Sequence, residues 1–388
     1  MANNAMTRRE VVRGGAVLAG AATLGAPEWA LGSLAQEGTL VPFADMPDEF
    51  VTNPSPIVRF VDIRNINEFF TPADEFFTIQ HYGQPEVDGS SHQVEISGLV
   101  ARPQKISMAD IRRRPRIELA CAYECSGNSG RRFHGLVSNG LWGGTSLKAL
   151  LQDIGVEPGG REVVFFGADR GDETITVRGR SWEVEQQFAR SLSLDDALGD
   201  DTMLAYELNG EPLTRNQGAP LRLIVPGWYG VAQVKWLEQI HVQRDRFMGK
   251  FMAREYVTLR DEAVGDNVKA TETSITRMKL KSVIGRVTRG PAHHTIHGFA
   301  LTDGTALDRI EVQIDDGPWN RATLDARNTR YSWQFFTYPW EGATPGEHTI
   351  TSRAIDTNGK VQPAQADLEA KKTTWENNGQ FPRRVMVS

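Results

Sequence analysis

The chain holds two cysteines in 388 residues, and both sit in one stretch, residues 118–150, ELACAYECSGNSGRRFHGLVSNGLWGGTSLKAL. An apolar run, strand or short helix, delivers Cys125 to the lip of a turn, Ser126-Gly127-Asn128-Ser129-Gly130, whose glycines permit positive φ and close backbone approach. Arg131 and Arg132 place positive charge beside the thiol and favour its thiolate. The thiolate is the form that a soft metal takes as ligand. A Cys121–Cys125 disulfide is the competing reading in an exported protein, although so short a loop would stabilise little.

The N-terminal residues 1–35 carry Thr7-Arg8-Arg9 ahead of a short run of Gly, Ala, Val and Leu. That run is too short and glycine-rich to span a bilayer, and it ends in small residues around Ser33-Leu34-Ala35 that suit a signal peptidase. The pattern predicts a twin-arginine export signal and a periplasmic protein. That route carries folded proteins and serves those loaded with a cofactor before export, so it supports a buried cofactor. The whole chain has 43 basic and 49 acidic residues, a formal charge of −6. Removing 1–35 takes three basic and two acidic residues and leaves −7. A surface that negative does not suggest a nucleic acid or an anionic membrane as partner. No later segment is long and apolar enough to cross a membrane as a helix.

The length suffices for two or three cores. Residues 36–70 read as a polar, proline-bearing lead-in. Residues 71–265 mix short strand-like runs, such as 92–98 and 162–167, with helical patches such as 147–152, which predicts an α+β domain holding the cysteines. Beyond 270 come short alternating runs at 295–300, 309–314, 331–338 and 348–355, with Asp316-Gly317 and Asn358-Gly359 turns. Residues 270–388 therefore read as an immunoglobulin-like β-sandwich.

The blocks Cys125-Ser126-Gly127-Asn128, 141–147 (LWGGTSL), 204–213 (LAYELNGEPL), 220–227 (PLRLIVPG) and 234–237 (VKWL) resemble, in order and separation, the sulfite oxidase family of molybdopterin enzymes. The resemblance covers roughly residues 50–388. It implies a molybdenum-molybdopterin cofactor with Cys125 as the protein ligand to the metal and Tyr256 as an active-site phenol able to donate to a developing oxyanion. Arg131 lies near a family arginine, but the loop is one residue longer than the pattern, which leaves Arg131 and Arg132 as rivals. Arg384 resembles a family arginine that reaches from the sandwich to the substrate anion, where a guanidinium gives paired charge-assisted bonds. His81, Asp169, Arg222 and Lys235 match family contacts to the pterin, and Gln217 stands where many members have histidine. Ile79 replaces an arginine of sulfite-oxidising members, a loss worth about 1–3 kcal/mol of anion binding in an otherwise equal pocket. Cys121 has no assigned role beyond that of a small buried hydrophobe.

The implied function is oxidation of sulfite or a related reduced sulfur anion, with electrons passed to an external acceptor such as cytochrome c. The sandwich is expected to make a homodimer, its aromatics Trp333, Phe335, Phe336 and Trp340 serving either the interface or the core. Sulfane oxidation and reduction of an S- or N-oxide are the alternatives within the class, and a non-catalytic exported binding protein is the alternative outside it. His293, His294 and His297 lack a further ligand at zinc spacing. Neither a covalent-haem motif nor a nucleotide-binding motif is present.

Overall fold

The computed structural model describes residues 38–264, 267–369 and 373–388. The export signal expected in 1–35 lies outside the described residues. Among them, no helix is long and apolar enough to cross a membrane.

Strands dominate. The expected α+β mixture holds only in a weak sense, because the helices are short and the longest among the described residues is Leu147–Ile154. That helix starts where Ser146 accepts a hydrogen bond from the Ala149 N–H, and it buries Leu147, Leu150, Leu151 and Ile154. Short helices of this kind cap sheets; they do not form a layer of their own.

Two sheets build the part of the chain that holds the cysteines. In one, Gln104–Ser107, Gln93–Gly98, Leu237–Gln243, Glu162–Val177 and Arg180–Ser193 lie side by side in that order. In the other, Glu211–Pro212, Met203–Leu208, Val137–Ser146 and Arg116–Glu124 do so, with Arg222–Ile224 also on Met203–Leu208. Val137–Ser146 is buried along nearly its whole length, as a strand covered on both faces must be. The sheets share one apolar core that includes Phe76, Trp142, Phe165, Leu204 and Ile240.

Two further antiparallel sheets follow. Thr39–Val41, Lys281–Arg289, His294–Leu301, Gln334–Trp340 and Thr323–Leu324 form one, and Asn320–Arg321, Leu307–Ile314, Gly346–Asp356 and Arg383–Val387 form the other. They share a second core. Trp333, Phe335, Phe336 and Trp340 are all buried in it, so core is where these aromatics lie. The lead-in is no loose segment: Thr39–Val41 is the edge strand paired to Lys281–Arg289, Phe43 bridges to Val385, and Phe69 and Phe70 join the second core. Apolar side chains between the prolines explain why it docks. His297 is half-buried and bonded to Thr288, and among the described residues no cluster of metal-ligating side chains occurs outside the cysteine region or within it.

Candidate active site

Cys125 follows directly on the strand Arg116–Glu124, and its turn is held from beneath. The Asn128 amide donates to Glu124 Oε2 (3.0 Å) and to the His134 carbonyl (3.1 Å), while Asn128 Oδ1 accepts from the Leu136 N–H. Lys281, at the start of the second pair of sheets, donates to the same Glu124 oxygen at 2.8 Å. Both members of this ion pair are buried. The left-handed backbone expected at the turn glycines occurs instead at Phe133 and His134. Gly127 and Gly130 serve close approach: a Cβ would meet the Trp375 ring at 3.1 Å and the Phe381 ring at 2.1 Å. The cysteines are free, with Cys121 fully buried, and burial pushes the Cys121 thiol up to about 12. The disulfide reading is therefore set aside. Burial also raises the Cys125 thiol, against the Gly127 N–H and the Arg132 charge.

Cys125 opens into a cavity that is also lined by His81, Asp169, Gln217, Arg222, Lys235 and Tyr256. Seven residues named from sequence thus converge from segments far apart in the chain. Tyr256 has left-handed backbone, its hydroxyl lies 2.7 Å from His81 Nε2, and its ring stacks on Trp375 at 4.7 Å. Desolvation first, then the charges of Lys235 and Lys250, lower His81 to about 4, so the imidazole is neutral. Burial keeps the Tyr256 phenol protonated. Behind it, the guanidinium of Arg190 donates to the carbonyls of Phe251 and Ile275, and Ile275 N–H in turn donates to the Tyr256 carbonyl.

At the far end, Arg222 is buried. It donates to the Gln217 and Gln233 carbonyls at 2.8 and 3.1 Å and lies over the Trp142 ring. Lys235 donates weakly to the carbonyls of Ile79 and Asn216. Burial and then Arg222 lower its ammonium to about 7. Burial raises Asp169 to about 6. Gln217 donates to the Ala73 carbonyl and accepts from Thr214. Asp169 Oδ1, Gln80 Oε1 and Arg222 Nε line this space or its wall as buried polar atoms without a partner. Buried polar atoms are normally paired, so unpartnered acceptors beside an unpartnered donor fit a ligand with a mixed donor and acceptor edge. A pterin is such a ligand, and Lys235 and Arg222 suit its phosphate.

Two predicted residues lie elsewhere. Arg384 points to solvent and meets Glu347 at 3.4 Å, because alternation along Arg383–Val387 turns the neighbouring Arg383 inward instead, onto Asp45. Arg131 and Arg132 are both exposed and neither lines the cavity, but it is the charge of Arg132 that is felt at Cys125 and Tyr256. Ile79 lines the cavity. Sequence reasoning missed Trp375, Arg190 and the Glu124–Lys281 pair. Trp375 sits in a polar stretch without periodicity, and Arg190 and Lys281 look like ordinary strand charges until their burial is seen.

The family pattern for the oxidoreductase molybdopterin binding domain matches residues 81–251. The chain is 27% identical to sulfite oxidase of Arabidopsis thaliana over 342 residues, covering 78% of this chain and 84% of that protein. It is 27% identical to mitochondrial sulfite oxidase of Homo sapiens over 375 residues, covering 87% and 67%. Among solved structures, the sulfane dehydrogenase SoxCD from Paracoccus pantotrophus aligns with a TM-score of 0.73 at 25% identity, covering 88% of this chain and 89% of that one.

Proposed function

Because the chain belongs to the sulfite oxidase family of molybdopterin oxidoreductases, we propose that it oxidises sulfite or a related reduced sulfur species, with water as the oxygen source. The observation that carries this reading is the convergence of Cys125, the Tyr256–His81 pair and the polar far end on one cavity. The molybdenum-molybdopterin group, when bound, supplies two-electron oxygen-atom transfer. Cys125 would hold the metal through its sulfur, and Asp169, Gln217, Arg222 and Lys235 would hold the pterin and its phosphate. Tyr256 would orient the substrate by donating a hydrogen bond without bringing a full charge. Neutral His81 beside it can take up a proton that the phenol passes on. Trp375 covers the Tyr256 ring and limits water there.

Sulfur oxidation releases two electrons to an external acceptor, and a cytochrome c is the proposed one. Residues 71–265 form the proposed catalytic domain, and 270–388, with its two antiparallel sheets, the proposed immunoglobulin-like domain through which two copies pair. The Arg8-Arg9 pattern supports a periplasmic location.

A second reading, oxidation of a sulfane sulfur, is favoured by Ile79 in the cavity wall and by Arg384 on the surface, since fewer cations then surround the substrate than free sulfite would use. Purified protein assayed for sulfite-dependent ferricyanide reduction tests the first reading. Turnover supports it. Stoichiometric molybdenum without sulfite turnover, but with turnover of a persulfide, would favour the second.

A further inference from the structure

Glu162–Val177 and Arg180–Ser193 pair from Glu162 opposite Ser193 to Val177 opposite Arg180, with one bulge between Phe166 and Arg170. Their other neighbour in the sheet, Leu237–Gln243, reaches only as far as Gly167. From Arg170 and Gln187 outward the two strands form a ribbon that no third strand joins among the described residues, closed by Arg178 and Gly179 with positive φ. That turn geometry suits the twist of a tight hairpin.

The two faces of the ribbon differ. Thr174 bonds Glu183 and Thr176 bonds Ser181 on one face, where Asp172 also lies opposite Glu185. The other face carries Ile175 opposite Trp182 and Val177 near the tip, with Val184 beside them. Trp182 is 49% exposed and Val177 53%. An isolated two-stranded ribbon is marginal on its own, and an apolar face on it marks an interaction site.

The apolar face also carries cations. Arg178 and Arg180 stand at its tip, and Arg254 reaches Gln186 at its base. Its one carboxylate, Glu173, is taken by Lys250 and Tyr82. In a chain of charge −6, such a face is local and distinct. It is continuous with the active site as well: Phe188, on the same side of its strand as Trp182 and Val184, lines the cavity and stacks on His81 at 5.0 Å. The six-residue step from Phe188 to Trp182 spans roughly 20 Å.

We propose that this face is the docking site of the electron acceptor, a one-electron protein oxidant that presents a small apolar patch ringed by carboxylates. The proposal rests on the oxidoreductase reading. The two electrons leave one at a time, so the acceptor docks and is reduced twice per turnover, and it must leave between visits. A small apolar contact with a cationic rim suits such short-lived docking.

The test uses the purified holoprotein with a low-pI c-type cytochrome, a basic one of similar size, and ferricyanide as a small acceptor. Trp182→Ser and Arg180→Glu are the variants, both at exposed positions. Expected results are faster sulfite-dependent reduction of the acidic cytochrome than of the basic one and a KM for the acidic cytochrome that rises with salt. In Arg180→Glu that KM should rise at least tenfold, and in Trp182→Ser severalfold, with ferricyanide turnover within twofold of the parent. An equal or reversed preference, or unchanged KM in both variants, overturns the proposal. So does a shift from dimer to monomer in Trp182→Ser by light scattering, which would give the face to a second copy. Absence of both sulfite- and persulfide-dependent ferricyanide reduction in the parent protein would overturn the oxidoreductase reading itself and the proposal with it.

Discussion

The two ends of the cavity are built differently. The far end, with Asp169, Gln217, Arg222 and Lys235, draws on residues close to one another in the folded sheets, and the side chains of Gln217, Arg222 and Lys235 are held by carbonyls of the same unit. The mouth around Cys125 is assembled from remote pieces. Trp375 and Phe381 press on Gly127 and Gly130, Lys281 holds Glu124 beneath the turn, and Arg190 fixes the carbonyls behind Tyr256. With the roles proposed for these residues, cofactor retention would be a local property of one unit. Chemistry at the mouth depends on how the two units meet.

That contrast gives the largest expected effect. Cys125→Ser removes the protein sulfur but leaves the far end intact, so substrate-dependent ferricyanide reduction should fall by more than about 100-fold while pterin content stays near that of the parent. Near-parental activity would remove Cys125 from the metal. Lys281→Met should act from the other unit by leaving Glu124 buried and unpaired. Its cost is about 3–5 kcal/mol by denaturant unfolding, and a loss below about 1 kcal/mol would show that the pair does not hold the turn.

At the mouth, Arg132→Gln should raise the KM for sulfite by roughly tenfold, about 1.4 kcal/mol of lost charge-assisted bonding. Arg384→Ala, whose surface pair with Glu347 is worth about 0–1 kcal/mol, should leave both KM and stability nearly unchanged. If Arg384→Ala gave the larger KM effect, the placement of the two arginines would be reversed.

The smallest effect separates the ends by sign. In the cofactor-free protein His81 titrates near 4, below its unfolded value of about 6.5. The unfolded chain takes up that proton first, so stability is lost as pH falls through this window. Asp169 titrates near 6, above its unfolded value of about 4, and so contributes stability as pH falls from 6 to 4. Against the parent, His81→Gln should lose less stability on acidification and Asp169→Asn more, both followed by denaturation midpoint. Shifts of the same sign in both would contradict the assignment.

The same contrast explains what was legible in the sequence. Arg222 and Lys235 lie in the contiguous blocks 220–227 and 234–237 that carry the family resemblance, and the fold brings both to one cavity. The strands at 92–98, 309–314 and 348–355 were legible too, since alternation needs only near neighbours. Arg384 was misplaced because whether Arg383 or Arg384 turns inward is set by strand register, which a run of two arginines does not reveal. Trp375 and Lys281 were invisible as site residues because their roles arise only when the second pair of sheets meets the cysteine turn. The long Glu162–Val177 strand was read only as far as residue 167, where its third neighbour ends and the free ribbon begins.

The most direct test of the central claim, that one cavity holds a molybdenum-molybdopterin group between Cys125 and the polar far end, is metal and pterin content of the purified parent protein and of Arg222→Met. Near-stoichiometric molybdenum and pterin are expected in the parent, with a loss of both by about 10-fold or more in the variant. A parent protein free of molybdenum from a molybdenum-replete host, or a variant that keeps the full content of both, would contradict it.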